Sequence, residues 1–211
     1  KTSFERNQAL IFDIGLTLNF GQQYISRPDY KINQKSKFPT VEISYQKGIA
    51  GLGSDVNFDL GSVTLFQTLD LAMFGSLDYS IEGGCFFNSK KMFVMDYHHF
   101  NASEALFSTF DRRSYLLLPS YLRSTNSSWF GGHATHHFNG FVMNKLPLLR
   151  KSKAQMLVNL NALSTPDAPF YMEMSIGLEH IFKIGRIDYV RQIGAKHVDV
   201  ATHGLRFGIG F

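Results

Sequence analysis

Strict alternation of apolar and polar residues is the feature that most constrains how this 211-residue chain can fold. From Gly204 to Phe211, every second side chain is apolar and the positions between are glycine or arginine. From Ala9 to Phe20, bulky apolar residues alternate with a second set that includes Asp13 and Thr17. Because successive side chains of a strand point to opposite faces, each segment has one wholly apolar face. This pattern is typical of strands that turn that face to lipid, and it predicts a transmembrane β-barrel.

Composition excludes a membrane protein that spans the bilayer with helices and is compatible with one that spans it with β-strands. No run of about 18 apolar residues occurs, so the sequence predicts no membrane-spanning helix. Barrel strands escape that test because their two faces average to near-neutral hydropathy, and the mean hydropathy here is −0.09. The chain holds 20 Phe, 9 Tyr and 18 Gly, which favours strands with aromatic girdles. We expect the girdle to include Tyr24, Tyr45, Tyr79, Trp129 and Tyr189.

The alternation recurs often enough to predict an all-β, antiparallel architecture over residues 1–211, with about nine or more strands. An odd number of strands cannot close an antiparallel sheet in register. We therefore expect this barrel domain to be the C-terminal part of a longer protein, unless the count is wrong by one. The predicted strands are residues 9–20, 41–46, 63–73, 77–85, 129–138, 156–161, 174–179, 187–190 and 204–211.

The connections between these strands divide into short turns and one long loop. If the C-terminus is periplasmic, residues 74–76, 144–151 and 183–186 lie on the periplasmic side. Residues 88–126 are the least regular stretch, and we interpret them as a long extracellular or lumen loop that could hold an extra hairpin. Val56, Phe58 and Leu60 have the opposite parity to the strand after them, which predicts a bulge near Gly61 or a portion outside the bilayer.

Charged residues of the predicted strands fall on the face opposite the apolar rows. We predict that they form a salt-bridged polar network that fills a narrow lumen, with Arg206 and Lys47 as the cations. An acid–base catalytic pair is the alternative, and it requires a carboxylate that faces a cavity without a cationic partner. The predicted network comprises Asp13, Glu42, Asp78, Glu82, Glu173, Glu179, Asp188 and Arg206, and Asp70 shares their face.

Other chemistry receives little support from the sequence. His133 and His137 share a face but lie roughly 13 Å apart along a strand, which is too far for one metal ion. No phosphate-binding, dinucleotide or zinc motif is present, so we predict no cofactor and no metal. Serine nucleophiles beside His98 and His99 would make the chain a hydrolase, but no known spacing supports the candidates, which are Ser103, Ser108 and Ser114.

The stretch His136 to Phe141, followed by residues 144–149, resembles a Bacteroidota-type outer-membrane family of unknown function. Further matching blocks are residues 23–26, 47–56, 96–101 and 177–188, so the resemblance spans almost the whole chain. It implies a C-terminal β-barrel that follows a carboxypeptidase-regulatory-like domain, which is absent from these residues. Where the family has an acidic residue before the histidine pair, this chain has Thr135. The resemblance implies a cellular location and an architecture, and it implies no reaction.

These patterns lead to a functional expectation for the outer membrane of a Gram-negative bacterium. We expect an integral barrel that acts as an anchor or as a subunit of a larger envelope assembly, in secretion, surface-lipoprotein export or barrel insertion. The alternatives are a small-solute channel or transporter and, outside the membrane, a soluble β-sandwich or lipocalin-like binder; an enzyme is not expected. Expected partners are outer-membrane lipid, lipopolysaccharide and other envelope proteins, and a net charge of +4 without a Lys/Arg stripe predicts no nucleic acid. Phe207, Ile209 and Phe211 are the predicted membrane-assembly signal.

Overall fold

The computed structural model describes residues 7–34, 36–102, 105–109, 111, 113–145, 154–193 and 201–209. In these ranges the chain consists of β-strands joined by turns, with three short 3₁₀ turns and no α-helix. None of the described residues belongs to a helix that could cross a membrane. The strands are β1 (Ile11–Asn19), β2 (Tyr24–Ser26), β3 (Lys31–Asn33), β4 (Thr40–Gly48), β5 (Asn57–Asp70), β6 (Ser76–Lys91), β7 (Phe107–Thr109), β8 (Ser128–His137), β9 (Gln155–Thr165), β10 (Ala168–Ile181), β11 (Gly185–Ile193) and β12 (His203–Ile209).

Nine of these strands form one antiparallel sheet, in the order β1-β4-β5-β6-β8-β9-β10-β11-β12. Each strand therefore pairs with the next long strand along the chain, which is the simplest up-and-down topology. The predicted all-β class, the antiparallel pairing and the nine strands are confirmed. Two elements were not predicted: the small hairpin of β2 and β3, and the short β7, which pairs parallel to β12.

The sheet is open over the part of the chain that the structure describes. At one edge, β1 pairs with β4 and with no other described strand. At the other edge, β12 pairs with β11 along its length and with β7 over three residues. No ladder joins β1 to β12 among the described residues, so closure of the predicted barrel belongs to the proposals below.

Apart from irregularities in the β5–β6, β9–β10 and β10–β11 pairings, the register keeps each row of side chains on one face. One such row runs from Leu16 through Ile43 to Val63, and it is apolar and exposed. The opposite face carries the polar side chains that alternation predicted, and those on β9 to β12 are buried. We call these two faces the outer face and the inner face.

The apolar cores lie on the inner face, where segments of residues 88–126 cover it. One cluster packs Leu116, Leu117 and Leu118 against Leu163 and Val190. The second surrounds Trp129, shares Phe100 with the first, and has the buried members Val56, Phe58, Leu60 and Trp129. The described part of residues 88–126 is therefore not a free loop: β6 extends to Lys91, and a later stretch packs against strands β9 to β11.

The first residues of β5, where a bulge was predicted, are irregularly paired with β6. Register shifts occur between Asn57 and Leu60, whereas Gly61 pairs regularly with Tyr45 and Cys85. Phe58 and Leu60 lie on the inner face with the Trp129 cluster. The predicted bulge near Gly61 corresponds to the irregularity between Asp59 and Leu60 in the pairing with β6, while the alternation of β5 itself continues through the glycine.

The short turns lie close to where alternation placed them. A 3₁₀ turn, Ala72–Phe74, joins β5 to β6 and ends at Gly75, whose φ is 102°. A Cβ atom at Gly75 would lie 1.9 Å from the carbonyl oxygen of His137, so this position requires glycine. A turn with positive φ at Phe182 and Lys183 joins β10 to β11. Of the predicted turn at residues 144–151, residues 146–151 lie outside the described residues.

Candidate functional site: a polar inner face closed by a strap

Residues 113–118, which we call the strap, cross the inner face and are held there by a buried carboxylate. Glu173 on β10 is completely buried. Its two oxygens accept hydrogen bonds from the backbone N–H groups of Leu116, at 2.6 Å, and Leu117, at 2.9 Å. Asn161 Nδ2 donates to it at 2.8 Å and the Tyr171 hydroxyl at 2.5 Å. A buried carboxylate is costly without such partners, and four donors from three segments of the chain satisfy this one.

Two carbonyl groups of the strap accept hydrogen bonds from side chains of the sheet, and one strap side chain donates to the sheet. Arg206 Nε on β12 donates to the Leu116 carbonyl oxygen at 2.6 Å. Asn161 Nδ2 donates to the Ser114 carbonyl at 3.2 Å, and the Tyr115 hydroxyl donates to the Ala162 carbonyl at 3.0 Å. The strap therefore binds the inner face chiefly through main-chain groups, while its leucines fill the apolar core.

Asp188 on β11 forms a second buried centre, and its cation is Arg186. Arg186 Nε lies 2.7 Å from Asp188 Oδ2, and Nη2 lies 3.1 Å from Oδ1. Asn159 and Ser175 also donate to the Asp188 carboxylate, each at 3.2 Å. The bidentate geometry is the strong form of an Arg–carboxylate contact.

The two cations that the sequence predicted for the network have other partners. Arg206 lies on the inner face, but the contacts described for it go to carbonyl oxygens of the strap and of its own strand. Lys47 has outer-face parity and forms an ion pair with Asp59 at 2.5 Å. The predicted pairing was wrong for both cations. Arg206 bonds to main-chain oxygen atoms of the strap, and alternation places Lys47 on the outer face.

Asp78 and Glu179 meet at His137, near the end of the sheet that carries the Gly75 turn. His137 Nδ1 lies 2.8 Å from Glu179 Oε1, and its Nε2 lies 3.5 Å from Asp78 Oδ2. Thr68 donates a short hydrogen bond to Asp78. The structure thus brings these two predicted carboxylates together around an imidazole that no pattern had singled out as their partner.

The remaining predicted carboxylates become more exposed toward β1. Glu82 lies 3.9 Å from His133 Nε2, and Glu42 lies 3.4 Å from Arg113 of the strap. Asp13 on the edge strand is exposed and accepts a hydrogen bond from Gln46 at 2.7 Å. It does not join the buried centres around Glu173 and Asp188.

An aromatic wall closes the inner face at the end opposite the Gly75 turn. His98, in the connection between β6 and β8, stacks on the indole of Trp129 with ring centroids 3.8 Å apart. Burial of the imidazole lowers the pKa of His98 from 6.5 to about 4, and the nearby Glu82 charge opposes this shift. His98 is therefore neutral at pH 7 and acts as a flat packing surface.

No arrangement of the described side chains indicates a metal centre: no group of three His, Cys, Asp or Glu could hold an ion. Of the serines considered as nucleophiles, Ser114 is buried and its hydroxyl faces the Tyr115 carbonyl at 3.5 Å. Ser103 and the side chain of Ser108 lie outside the described residues. Phe207 and Ile209 lie on the outer face of β12, and Phe211 lies outside the described residues.

Sequence reasoning missed the neutral members of this site. Asn159 and Asn161 lie on the inner face of β9, where Asn159 donates to Asp188 and Asn161 donates to Glu173, yet an asparagine in the sequence indicates only a polar position. Arg186 was detectable, because it is two residues from Asp188 and must share its face. The strap gave one signal, three consecutive leucines in an otherwise polar stretch, which is more typical of a buried segment than of a solvated loop.

Comparison with known proteins identifies the family. A family model described as the C-terminal domain of a family of unknown function (DUF5686) matches residues 1–178. The chain belongs to this family. Neither a curated protein nor a solved structure matches it. Membership gives the domain a place at the C-terminal end of its family's architecture and gives no reaction.

Proposed function

We propose that this chain is the membrane-embedded sheet of an outer-membrane β-barrel protein of a Gram-negative bacterium. In this proposal the outer face contacts lipid, and the strap covers the interior along β9 to β12. The barrel then acts as an anchor or as a subunit of a larger envelope assembly, such as one for secretion, surface-lipoprotein export or barrel insertion. The proposed neighbours are outer-membrane lipid, lipopolysaccharide and other envelope proteins.

Inverted burial is the observation that carries the proposal. On the outer face, Val63 is 48% exposed, Ile176 is 47% exposed and Leu205 is 49% exposed. On the inner face, Glu173 and Asp188 are fully buried. A protein that folds in water places such residues the other way round, and exposed apolar patches above a few hundred Å² are rare on soluble monomers. Hydrocarbon around the outer face would solvate the exposed apolar side chains, which accounts for the inverted burial.

The open edge at β1 sets a requirement for this proposal. A strand in hydrocarbon must satisfy every backbone N–H and C=O group, because lipid supplies no partners. The proposal therefore requires a further strand that pairs with β1, and closure of the barrel through strands that these residues do not include. The odd number of antiparallel strands in the sheet agrees with that requirement.

The strap favours an anchor or subunit over a small-solute channel. A channel needs a continuous water path, whereas the strap packs buried leucines and Tyr115 across the inner face. Its main-chain contacts to Glu173 and Arg206 hold it there. Opening a path would break these bonds in a buried setting, which is costly.

Membrane insertion is tested with charges on the outer face. Ile176→Lys and Val63→Lys should each reduce the yield of folded protein in the outer-membrane fraction, since a lysine near the bilayer midplane costs about 2–4 kcal/mol. Leu52→Lys is the matched control, because Leu52 lies in the β4–β5 connection and is almost fully exposed. Equal yields for the three variants, or recovery of the protein in the soluble fraction, would refute the membrane assignment.

The anchor role is tested separately from membrane location. The protein is extracted in mild detergent and separated as a native complex, and a reproducible partner of fixed stoichiometry is the expected result. The same preparation is placed in planar bilayers, where closed-strap barrels should give no steady conductance. Isolation as a lone monomer with clear conductance would favour the channel and reject the subunit role.

A further inference from the structure

Polar side chains interrupt the apolar outer face at two levels of strands β4, β5 and β6. At the first level, next to the β4–β5 connection, Asp59 accepts hydrogen bonds from the Tyr45 hydroxyl at 2.7 Å and from Asn88 Nδ2 at 3.3 Å. Lys47 Nζ lies 2.5 Å from the same carboxylate. These groups satisfy one another, but their charges still favour water or lipid headgroups over hydrocarbon. We call them the upper cluster.

The second level lies near the Gly75 turn, and we call it the lower cluster. The Tyr79 hydroxyl donates to Gln67 Oε1 at 3.0 Å, and Gln67 Nε2 donates to the carbonyl oxygen of Lys37 at 2.8 Å. Lys37 is exposed and belongs to the connection before β4, outside any strand. Irregular backbone does not occur in contact with the hydrocarbon of a membrane, because lipid offers its polar groups no partners. The lower cluster therefore marks a level that hydrocarbon does not pass.

Between the two clusters, the outer rows of β4, β5 and β6 carry no charged or amide side chain, and the structure describes these three strands in full. The residues between are Val41, Ile43, Gly61, Val63, Leu65, Ile81, Gly83 and Cys85. Gln67 lies eight positions after Asp59, roughly 26 Å along β5 at the usual rise per residue. At the tilt of about 35–45° that strands of membrane barrels adopt, this length corresponds to a height of about 20 Å. The hydrocarbon core of a typical bilayer is thicker, about 30 Å.

Strand β11 repeats this spacing in the other half of the sheet. Arg191 has outer-face parity, because it pairs with Met174, and it is exposed. Lys183, eight positions earlier, is exposed in the β10–β11 turn. Two cations therefore limit hydrocarbon on β11 to the length of strand that separates Asp59 from Gln67 on β5.

Polar groups fix the borders, because hydrocarbon disfavours a charge whereas a single leucine is common at a surface in water. Leu69, which continues the outer row of β5 past Gln67, therefore does not widen the layer. We propose that the outer face fits a bilayer whose hydrocarbon layer is about 20 Å thick, with its borders at the upper and lower clusters. This inference rests on the proposed function, since it takes the outer face to contact lipid. The bacterial outer membrane is thinner than an average bilayer, which agrees with a thin layer.

Quenching of a fluorophore by brominated lipid chains tests the borders. The full chain, with Cys85→Ser, carries bimane on a cysteine introduced by Val63→Cys or Leu69→Cys and is folded into vesicles of phosphatidylcholine brominated on its acyl chains. Both positions are apolar and belong to the outer row of β5, but Val63 lies midway between the clusters and Leu69 lies beyond the lower one. Quenching at residue 63 should be at least about threefold stronger than at residue 69, because only residue 63 lies in hydrocarbon.

The two ways in which this expectation can fail have different meanings. Equal quenching at both residues would mean a thicker layer and would overturn this inference, while the outer face would still contact lipid. Absence of quenching at both residues would reject the lipid contact itself, and with it the proposed function. If the variant at Val63 does not fold, Ile43→Cys reports the same level, because Ile43 pairs with Val63.

A second experiment removes the charges of the upper cluster. Lys47→Met combined with Asp59→Leu lengthens the apolar span, so the ratio of folded protein in dioleoyl- to that in dilauroyl-phosphatidylcholine should rise about threefold over the parent protein. Comparison with the parent removes any effect of chain length that all variants share. Ser44→Ala with Ser62→Ala is the matched control, because these hydroxyls bond to each other at 2.6 Å on the inner face of the same strands. An unchanged ratio, or an equal rise in the control, would reject the upper border.

Discussion

The two edges of the sheet carry the same alternation but differ in what covers their inner face. On β10 and β11 the inner residues are buried almost without exception, and Glu173 and Asp188 reach complete burial. On β1 the side chains of both faces are exposed, including that of Asp13. Sequence alternation alone is therefore insufficient to bury a polar row.

What differs between the edges is the strap. It lies against β9 to β12, where it supplies both apolar side chains and main-chain partners for buried charges. Toward the other half of the sheet, its described contacts are those of Arg113 with Glu42 and Phe66 and that of Tyr115 with His133. The comparison teaches that alternation selects the face, whereas a covering segment decides whether that face becomes a core.

The largest effect should come from removing the carboxylate that holds the strap. Glu173→Ala leaves the N–H groups of Leu116 and Leu117 buried without an acceptor, so we expect a loss of about 3–5 kcal/mol in the free energy of unfolding. The measurement is denaturant unfolding in micelles, followed by fluorescence of Trp129, the single tryptophan. Asp13→Ala is the control at the uncovered edge. Equal losses in the two variants would break the comparison.

Packing of the strap should give the next largest effect. Leu117 is 1% exposed in the main core, and Leu117→Ala should cost about 2–4 kcal/mol through lost burial and a cavity. Leu52→Ala removes the same atoms from an exposed position and should be nearly neutral. A loss under about 1 kcal/mol for Leu117→Ala would mean that the strap does not form the core in solution.

The pH dependence of stability should follow from His98. Its folded-state pKa of about 4 lies below the unfolded value of 6.5, because burial against Trp129 disfavours the charged ring. The unfolded state therefore binds the proton first, and stability falls as the pH drops from about 6.5 to about 4. Since the ring is partly exposed, we expect a loss of about 1–2 kcal/mol.

Unfolding at pH 7.5 and pH 5 measures this effect. His98→Phe keeps an aromatic ring on Trp129 without a titrating group, so its stability should change less between the two pH values. His203→Gln serves as the control, because His203 is exposed. If His98→Phe retains the full pH dependence of the parent protein, another group is responsible.

The smallest effect should occur at the uncovered edge. Gln46→Ala removes the hydrogen bond to Asp13, and an exposed contact of this kind contributes less than about 0.5 kcal/mol. Unfolding measured as above provides the value. A loss above about 1 kcal/mol would mean that another segment covers the inner face of β1 in the intact protein, and the contrast between the edges would disappear.

Alternation predicted most of the sheet because it is a local signal with a physical period of two. The predicted strand at residues 9–20 corresponds to Ile11–Asn19, and the predicted segment 77–85 lies within Ser76–Lys91. The faces followed from the same signal, so Glu173, Glu179 and Asp188 fall on the face that was assigned to them. That the outer face meets lipid in an outer membrane stays a prediction.

The strap and its contacts could not be predicted in the same way. Glu173 binds Leu116 across 57 positions of the chain, and nothing in either local sequence specifies the other. The Arg186–Asp188 pair was within reach of local reasoning, whereas Arg206 was assigned to a carboxylate because the main chain of the strap was not considered as an acceptor. Non-local contacts of main-chain groups leave no residue-type signature.

Glu173 and Arg206 contact the strap through peptide groups, which all amino acids but proline share in full. The identity of the residues at 116 and 117 is then limited by apolar volume alone. A strap of this kind tolerates substitution of its side chains. Related chains could therefore carry straps of different sequence at the same place on the inner face. For engineering, it offers a place where a foreign peptide of suitable shape could be grafted and held without redesign of the sheet.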